Sequence, residues 1–328
     1  MATETAKPLT PGPTTAKIAY QHDDVKEVCI MVGTIGGARY PTTLNKVDVT
    51  INDLRTTPEY KPTLDKNGFS MISGQKPLHK ELKGGDPKVV EEVYAEITET
   101  LKRETGCSDV YIFSHIVRDD PFQRILDVPA DADPNTKWPH KTTAQFGHVD
   151  QSYYGAGTTL QNTFGRIPED RAETLRRLEK THRWAIINTW RPIANVTREP
   201  LAIADGNTVS DADLTTMEVD PAALVGPGAP HSELWQARHK PGHKWWYASN
   251  MTNEEGLLIK CFDTRMETGE DATCRRALHS AFVHPEDNGP PRQSCEFRAF
   301  CFWADEERKG DEVEHAYDNS FRVPVAAA

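Results

Sequence analysis

The chain has 328 residues, of which 37% are hydrophobic and 27% are charged, and its formal net charge at pH 7 is −11. This composition is typical of a globular protein with a sizeable core, and the length is compatible with one large β domain. The acidic balance and the lack of a long basic run argue against a nucleic-acid partner, because binding to a phosphate backbone requires clustered Lys and Arg.

The N-terminal segment is rich in Pro and Thr and contains no apolar stretch of the kind found in secretory leaders. We expect a flexible tail over residues 1–16, followed by a single domain over residues 17–328. The longest early apolar run, residues 28–32, is too short to span a bilayer, so the sequence predicts a cytoplasmic protein without membrane association. The six cysteines form no C-x-x-C pair, which predicts buried, reduced thiols.

The first predicted elements are strands over residues 28–32 and 46–51. The clearest helix covers residues 89–101, where apolar residues recur at helical spacing. Asp86 and Pro87 can open this helix and Gly106 can close it.

A second helix is predicted over residues 168–180, because acidic residues occupy its first turn and basic residues its last turn, as the helix dipole favours. The remaining elements are short β-like runs separated by turn-rich loops, which favours a sandwich or barrel. These runs cover residues 110–113, 184–187, 244–247, 257–262 and 296–303.

Residues 32–38 form a glycine-rich segment after a strand and resemble a dinucleotide-binding loop. The segment lacks G-x-G-x-x-G spacing, Pro41 argues against a following helix, and no βαβ unit is visible. The sequence therefore favours a plain turn over a nucleotide site.

His148 and Asp150 form a His-x-Asp pair within the stretch QFGHVDQSYY. His-x-Asp or His-x-Glu occurs four more times in the chain, so the pattern alone proves little. Here, however, the neighbours favour a strand, and residues i and i+2 of a strand project from the same face. The pair is therefore a candidate for half of a metal site.

His279, in the strand-like run 276–283, is the best candidate for a third ligand. Two histidines and one carboxylate form a facial triad that leaves three positions of iron(II) open for a cosubstrate and dioxygen. The alternative is a structural or surface role, which is common for a lone histidine.

The run that follows alternates in polarity. Its polar residues share one face and can lie either in water or inside a barrel, where Arg292 would pair with a carboxylate and Ser294 would add a hydrogen bond. The polar positions are Arg292, Ser294, Glu296 and Arg298, and the apolar positions between and after them are Cys295, Phe297, Ala299, Cys301 and Trp303.

These segments resemble the iron(II)/2-oxoglutarate-dependent oxygenases, whose pattern is His-x-Asp, a distant His, and then Arg or Arg-x-Ser. More narrowly, they are similar to the hydroxylase/desaturase family of fungal secondary metabolism. Five blocks carry this resemblance by their order and spacing, residues 147–152, 188–193, 261–263, 279–282 and 291–298, and it spans residues 28–322.

The resemblance implies a mainly β fold with flanking α-helices around a double-stranded β-helix, the jelly-roll core of cupins. It implies that His148, Asp150 and His279 are the iron ligands and the catalytic centre. It also implies that Arg292 and Ser294 bind the distal carboxylate of 2-oxoglutarate. Arg298 is either a second cosubstrate contact or a structural partner of Glu296.

The resemblance also points to a substrate wall that includes Asn188, Arg191 and Tyr153, although Arg191 can instead pair with a buried carboxylate and Tyr153 can simply pack. The implied activity uses Fe(II), 2-oxoglutarate and O2 to abstract hydrogen from a small secondary-metabolite intermediate, amino-acid-derived or terpenoid. The outcome is hydroxylation, desaturation or oxidative cyclisation. The alternatives are a cupin-like metal enzyme that does not use 2-oxoglutarate and a non-catalytic binding protein of the same fold.

Overall fold

A computed structural model describes residues 6–78, 80–266 and 273–319. These residues contain fourteen strands: β1 (Thr14–Tyr20), β2 (Val28–Met31), β3 (Asn45–Asp53), β4 (Phe69–Ile72), β5 (Asp109–Arg118), β6 (His148–Val149), β7 (His182–Pro192), β8 (Leu201–Ala204), β9 (Leu214–Asp220), β10 (Ser232–Ala237), β11 (Trp245–Tyr247), β12 (Gly256–Asp263), β13 (His279–Ala281) and β14 (Ser294–Glu307).

The same residues contain eight α-helices: α1 (Ile35–Arg39), α2 (Leu64–Asn67), α3 (Pro87–Thr105), α4 (Gln123–Leu126), α5 (Tyr153–Phe164), α6 (Glu169–Thr181), α7 (Ala222–Val225) and α8 (Asp311–Glu314). Four 3-10 turns complete the described secondary structure: Tyr40–Thr43, Lys80–Gly84, Gly206–Thr208 and Asp211–Asp213. None of the helices in the described ranges is both long and apolar enough to cross a membrane.

The strands form two sheets. The nine-stranded sheet has the order β1-β3-β11-β8-β13-β6-β10-β9-β2, and the five-stranded sheet has the order β4-β12-β7-β14-β5. Neighbouring strands are antiparallel, except that β11 runs parallel to β3 and β2 runs parallel to β9. The predicted mainly β fold with a double-stranded β-helix core and flanking helices is confirmed.

One buried cluster lies between the sheets and contains residues of both, such as Ala202 and Trp245 from the nine-stranded sheet and Ile186 and Phe300 from the five-stranded sheet. A second cluster covers the outer face of the five-stranded sheet and includes Ile97 of α3. The five-stranded sheet therefore has an inner face toward the partner sheet and an outer face toward α3.

In the first half of β14, the polar residues Ser294, Glu296 and Arg298 face inward and the apolar residues between them face outward. Cys295, Phe297 and Ala299 belong to the outer cluster with α3. The polar face predicted from the alternation is therefore the inner one. Between Arg298 and Ala299, the pairing of β14 with β5 shifts by one residue.

Two helices form where the sequence predicts them. Asp86 caps α3 by accepting a hydrogen bond from the backbone of Lys88, and Gly106 ends it in the left-handed conformation at φ 72°. The second predicted helix is α6, with Glu169 and Asp170 in its first turn. Both predictions are confirmed.

The structure differs from the expected N-terminal tail and glycine-rich turn. Leu9 is 1% exposed and its backbone N–H donates to Oδ1 of Asn250, and β1 already begins at Thr14, so residues 6–16 pack on the domain. Residues 1–5 and 320–328 lie outside the described residues. The glycine-rich turn contains a short helix, α1, which Thr34 caps through its side chain.

Five of the six cysteines are buried, and all six are free. Cys29 differs from the expectation because it is exposed. It lies on β2, which is an edge strand of the nine-stranded sheet.

Candidate metal centre

Strands β6 and β13 are neighbours in the nine-stranded sheet, and His148 lies directly opposite His279. Asp150 follows β6, and its Oδ1 lies 3.5 Å from Nε2 of His148. The two histidines are 6% and 3% exposed, and one nitrogen or oxygen of each of the three residues lies within 4.8 Å of the others. The structure therefore brings the three predicted metal ligands together.

Each histidine is oriented by a backbone carbonyl. Nδ1 of His148 lies 2.8 Å from the carbonyl oxygen of Phe146, and Nδ1 of His279 lies 3.2 Å from that of Ala277. Because a carbonyl only accepts, each Nδ1 carries the proton and each Nε2 presents a lone pair. Burial, and then the neighbouring His148, lowers the pKa of His279, which favours the neutral form that binds metals.

Asp150 is held as a carboxylate. Burial alone would raise its pKa, but the charge of Arg298 and the two histidines hold that pKa well below the ordinary value. Its Oδ2 accepts hydrogen bonds from Nδ2 of Asn188 at 2.6 Å and from Nε of Arg298 at 3.0 Å. These contacts leave Oδ1 directed toward the histidines, and the donor set of two imidazoles and one carboxylate fits iron(II).

Ser294 is the first residue of β14, Arg292 lies two residues before it, and both have buried atoms without a partner among the described residues. Arg292 is 4% exposed and donates through Nη1 to the carbonyl oxygen of Glu199 at 2.6 Å. Within the described ranges, Nε of Arg292 and Oγ of Ser294 are buried without a hydrogen-bond partner. Burial lowers the pKa of Arg292 to about 10, and no carboxylate of the described residues forms a salt bridge with it.

A buried guanidinium without a carboxylate is costly, so the site is suited to an anionic ligand. The guanidinium of Arg292 also lies over the ring of Trp190, 5.3 Å from its centroid, which fixes its orientation. A carboxylate entering beside Arg292 and Ser294 would satisfy both orphaned groups. The residues therefore fit the distal carboxylate of 2-oxoglutarate.

Asn188 and Arg298 both bridge Asp150 to Glu296. Nδ2 of Asn188 donates to Oε1 of Glu296 at 3.0 Å, and Nη2 of Arg298 donates to Oε2 of Glu296 at 3.2 Å. Of the two roles expected for Arg298, the structure shows the pairing with Glu296. It adds a contact with Asp150 that the sequence did not indicate.

Arg191, which was expected in the substrate wall, is not brought to the metal centre. It lies on the outer face of the five-stranded sheet, where Nη1 contacts Glu96 of α3 at 3.2 Å and Nη2 donates to the carbonyl oxygen of Asn253 at 2.9 Å. Its position is three residues from Asn188 in an extended strand, so the two side chains point to opposite faces. Arg191 pairs with a carboxylate, as the alternative expected, but that carboxylate is only partly buried, since the side chain of Glu96 is 27% exposed.

Tyr153, also expected in that wall, is not brought to the centre either. It is the first residue of α5, which Ser152 caps by accepting a hydrogen bond from the backbone of Gly155. The ring of Tyr153 is buried in the inner cluster, and its hydroxyl donates to Asp211. Because α5 begins at Tyr153, the side chain of this residue points into the core and not toward the metal centre.

A cavity of about 410 Å³ opens onto the metal centre and includes His148, Asp150 and Arg298 in its lining. Further lining comes from the segment around α1 and from the loop before β6. Strands β5, β9 and β10 and helix α7 also contribute, and most of the lining residues are apolar or small: Ile30, Val32, Gly33, Gly37, Ala38, Pro41, Ile116, Phe122, Trp138, Ala144, Phe146, Val219, Pro221, Leu224 and Leu234. A larger cavity of about 550 Å³, beside Met266 and Glu312, contains none of the predicted site residues.

Sequence reasoning did not assign two residues of the site. Glu296 shares the polar face of Arg292 and Ser294, so the alternation contained the signal for it. Arg118 lines the cavity and lies opposite Ser294 in the β5–β14 pairing. No local motif marks Arg118, because only the pairing of distant strands brings it there.

Comparison with known proteins relates the whole chain to a known family. A family model described as "Oxidoreductase/YMDC permease-like domain" matches residues 20–302. The hydroxylase/desaturase efuI of Hormonema carpetanum is 38% identical over 288 residues, covering 84% of this chain and 90% of that protein. The alpha-ketoglutarate-dependent dioxygenase tstK of Talaromyces stipitatus is 28% identical over 261 residues, covering 79% of this chain and 86% of that protein.

Among solved structures, the iron and alpha-ketoglutarate-dependent endoperoxidase NvfI aligns with a TM-score of 0.66 at 20% identity, covering 90% of this chain and 99% of that one. At this identity the likeness concerns the fold. The family model and the relative from Hormonema carpetanum each span most of the chain. The chain therefore belongs to the hydroxylase/desaturase family of iron(II)- and 2-oxoglutarate-dependent oxygenases, the family that its five sequence blocks resemble.

Proposed function

We propose that His148, Asp150 and His279 bind the iron(II) of this oxygenase and that Arg292 and Ser294 bind the distal carboxylate of 2-oxoglutarate. The observation that carries the proposal is the convergence of three metal-binding atoms on two paired strands and the turn after them. Both histidines already have the tautomer that a metal requires. The orphaned atoms of Arg292 and Ser294 supply the separate support for the cosubstrate.

Bound iron and 2-oxoglutarate together supply an oxidant, made from dioxygen, that removes hydrogen from an unactivated carbon. The protein orients the two ligands, and the buried histidines and Asp150 keep bulk water away from them. Arg292 holds the far end of the cosubstrate by charge and by hydrogen bonding. The cavity wall fixes which hydrogen of the substrate is closest to the metal.

The substrate is a small organic molecule bound in the cavity beside His148. A volume of about 410 Å³ suits a compact molecule, since ligand sites usually measure roughly 300–1,000 Å³. We infer hydroxylation, desaturation or oxidative ring formation on a secondary-metabolite intermediate, amino-acid-derived or terpenoid, because the relatives are named as hydroxylase/desaturases. A cytoplasmic location remains a prediction, which microscopy of a fluorescent fusion in a fungal host would test.

The decisive experiment is an anaerobic titration of metal-free protein with iron(II) and then with 2-oxoglutarate, monitored by the visible metal-to-ligand charge-transfer band. The band should form in the wild type. Asp150→Ala should abolish it, because the carboxylate ligand is lost, and Arg292→Ala should shift it to much higher 2-oxoglutarate concentration. A wild-type protein that forms no band would overturn the proposal.

His284→Ala is a matched control for His279→Ala. His284 is also buried, but its Nδ1 accepts a hydrogen bond from the backbone of Glu286. The His284 variant should retain the band and the His279 variant should lose it. A cupin-like enzyme that does not use 2-oxoglutarate would instead bind iron normally and show no response to the cosubstrate, with or without Arg292.

A further inference from the structure

Four side chains next to the metal centre form a closed ring of hydrogen bonds. Asn188 and Arg298 each donate to Oδ2 of Asp150, and each also donates to the carboxylate of Glu296. Asn188 and Arg298 are directly opposite each other on β7 and β14. The ring therefore connects the inner face of the five-stranded sheet to the residue that follows β6 in the other sheet.

The ring divides the guanidinium group of Arg298 between two carboxylates. Its Nε contacts Asp150 at 3.0 Å and its Nη2 contacts Glu296 at 3.2 Å. An Arg with a single carboxylate commonly forms two parallel hydrogen bonds to both of its oxygens. On Asp150, that arrangement would occupy Oδ1, the oxygen that faces Nε2 of His148 at 3.5 Å.

Glu296 is well placed to prevent this pairing. Its side chain is 8% exposed, it lies two residues before Arg298 on the same face of β14, and its Oε1 is 4.0 Å from Nε2 of His279. Neither Glu296 nor Asn188 is needed as a metal ligand in the facial triad. Their contacts are instead with the groups that set the orientation of Asp150.

We propose that Glu296 is a positioning residue that holds Nη2 of Arg298 away from Asp150 and so keeps Oδ1 of Asp150 available to the iron. This inference rests on the proposed function, because it takes Asp150 as a metal ligand. Asn188 completes the arrangement by occupying Oδ2 from the other side. Loss of Glu296 releases Arg298, which then competes with the metal for both oxygens of Asp150.

The test is a double-variant cycle that measures metal affinity, because competition and simple structural support predict opposite results. Metal-free full-length wild type, Glu296→Ala, Arg298→Ala and the double variant are titrated anaerobically with iron(II) against a chelator. A second titration with cobalt(II) reports the coordination geometry from its visible absorption. Thermal unfolding is measured for each protein.

Glu296→Ala should weaken iron binding by roughly tenfold or more, the usual range for groups that orient metal ligands. The double variant should bind iron more tightly than Glu296→Ala, because the competitor is removed. If Glu296 served only to support the fold, the two losses would add or the double variant would bind less tightly. A Glu296→Ala protein within threefold of the wild type, or a double variant no tighter than Glu296→Ala, would overturn the inference.

Glu296→Gln and Arg298→Lys preserve side-chain size and keep the test available where the alanine variants do not fold. Lys presents a point charge and cannot form the paired contact. Glu296→Gln removes the charge that competes with Asp150 for Arg298, so it should bind iron more weakly than the wild type. Glu296→Gln with Arg298→Lys should bind iron more tightly than Glu296→Gln. Failure of the pair to recover affinity contradicts the inference.

The half-buried pair Arg55 and Glu255, joined at 2.6 Å away from the centre, supplies the control cycle and should leave metal affinity unchanged. Failure of the proposed function is distinguishable from failure of this inference. If wild type does not bind iron, or if Asp150→Ala binds it as well as the wild type, the metal assignment fails. If those two proteins behave as expected but Glu296→Ala is silent, only the role of Glu296 fails.

Discussion

The two faces of the five-stranded sheet bury charged groups in contrasting ways. On the outer face, Arg183 donates through Nε, Nη1 and Nη2 to three carboxylates, those of Asp263, Glu306 and Asp65. Lys260 donates to two of the same carboxylates. Arg183, Lys260 and Asp263 have side chains that are 7%, 1% and 0% exposed, and their charges are mutually compensated.

On the inner face, several polar atoms have no partner in the part of the chain that the structure describes. Nε of Arg292, Oγ of Ser294 and Oδ1 of Asn188 are buried and unpaired. A buried polar atom without a hydrogen bond lowers stability, so its presence suggests a ligand that is bound during function. Nε of Arg191 on the outer face is also buried without a partner among the described residues, so neither burial of charge nor a single unpaired atom marks a site. The inner face differs because several unpaired atoms lie together there.

The largest expected effect that tests this difference between the faces comes from removing the carboxylate of Asp263 on the outer face. Asp263→Ala leaves Arg183 and Lys260 without their fully buried partner, because Asp65 and Glu306 are 54% and 38% exposed, and we expect the free energy of unfolding to fall by about 3–5 kcal/mol. Urea unfolding followed by circular dichroism measures this. Arg292→Ala should change it by less than about 1 kcal/mol, because the loss of the contacts with Glu199 and Trp190 is offset by removal of a buried charge that has no carboxylate partner among the described residues. Equal losses in the two variants would contradict the distinction.

Acid should weaken the ion pairs of Asp263 with Arg183 and Lys260 on the outer face. Burial would raise the pKa of Asp263, but Arg183 and Lys260 hold it well below the ordinary value. A carboxyl with a lower pKa in the folded state contributes stability that is present above its unfolded pKa, near about 4, and lost as pH falls through the folded value. We expect the wild type to lose roughly 2 kcal/mol from this group below about pH 4.

Asp263→Asn removes the titrating group and should show a shallower fall of unfolding free energy over the same acid range, although it starts from a lower stability. Urea unfolding at successive pH values compares the two proteins. Parallel curves for the wild type and the variant would assign the acid sensitivity to other carboxyls.

A conservative change on the inner face should affect ligand binding and not folding. Arg292→Lys keeps the charge but loses the forked donor geometry, so 2-oxoglutarate should bind roughly tenfold more weakly. Iron affinity should be unchanged. Arg191→Lys on the outer face is the matched control and should leave 2-oxoglutarate affinity as in the wild type. The charge-transfer titration measures the iron and 2-oxoglutarate affinities of Arg292→Lys and the 2-oxoglutarate affinity of Arg191→Lys.

The smallest expected effect is at Ser294. Ser294→Ala removes one neutral hydrogen bond to the cosubstrate, which should weaken 2-oxoglutarate binding by about fivefold. Stability should not fall, since the hydroxyl has no protein partner. Ser280→Ala provides the comparison, because the Ser280 hydroxyl already donates to the carbonyl oxygen of Ala281 at 2.8 Å. An equal loss of cosubstrate affinity in both variants would argue against a direct contact with Ser294.

Parts of the candidate site were predictable because they depend on local periodicity. The two-residue spacing of His148 and Asp150 indicated a shared face, and the alternation after Arg292 indicated which side chains point inward. His279 was a candidate ligand because of its strand-like run and the family resemblance, but its position opposite His148 depends on the order of strands in the sheet, which no local pattern indicates. The same limit hid Arg118, which strand pairing alone brings to the cavity.

The misplaced residues have physical causes. Arg191 shares a sequence block with Asn188, but their odd spacing puts them on opposite faces of β7, so the block spans two environments. Tyr153 follows Ser152, whose capping hydroxyl starts a helix where a strand was expected to continue. Ser152 is a residue type that favours the N-cap of a helix, so it could have indicated the start of α5, but the neighbouring residues favoured a strand.

The register shift in the β5–β14 pairing lets one strand serve two purposes. Ser114 pairs with Arg298 and Ile112 pairs with Ala299, so Phe113 is an extra residue in β5. Ile116 and Arg118, which follow Phe113 in the strand, line the cavity. Phe113 itself stacks on Phe300 inside the core, with ring centroids 4.3 Å apart. Deleting one residue here would force a choice between these two surfaces, so the number of residues in β5 is as constrained as their identity.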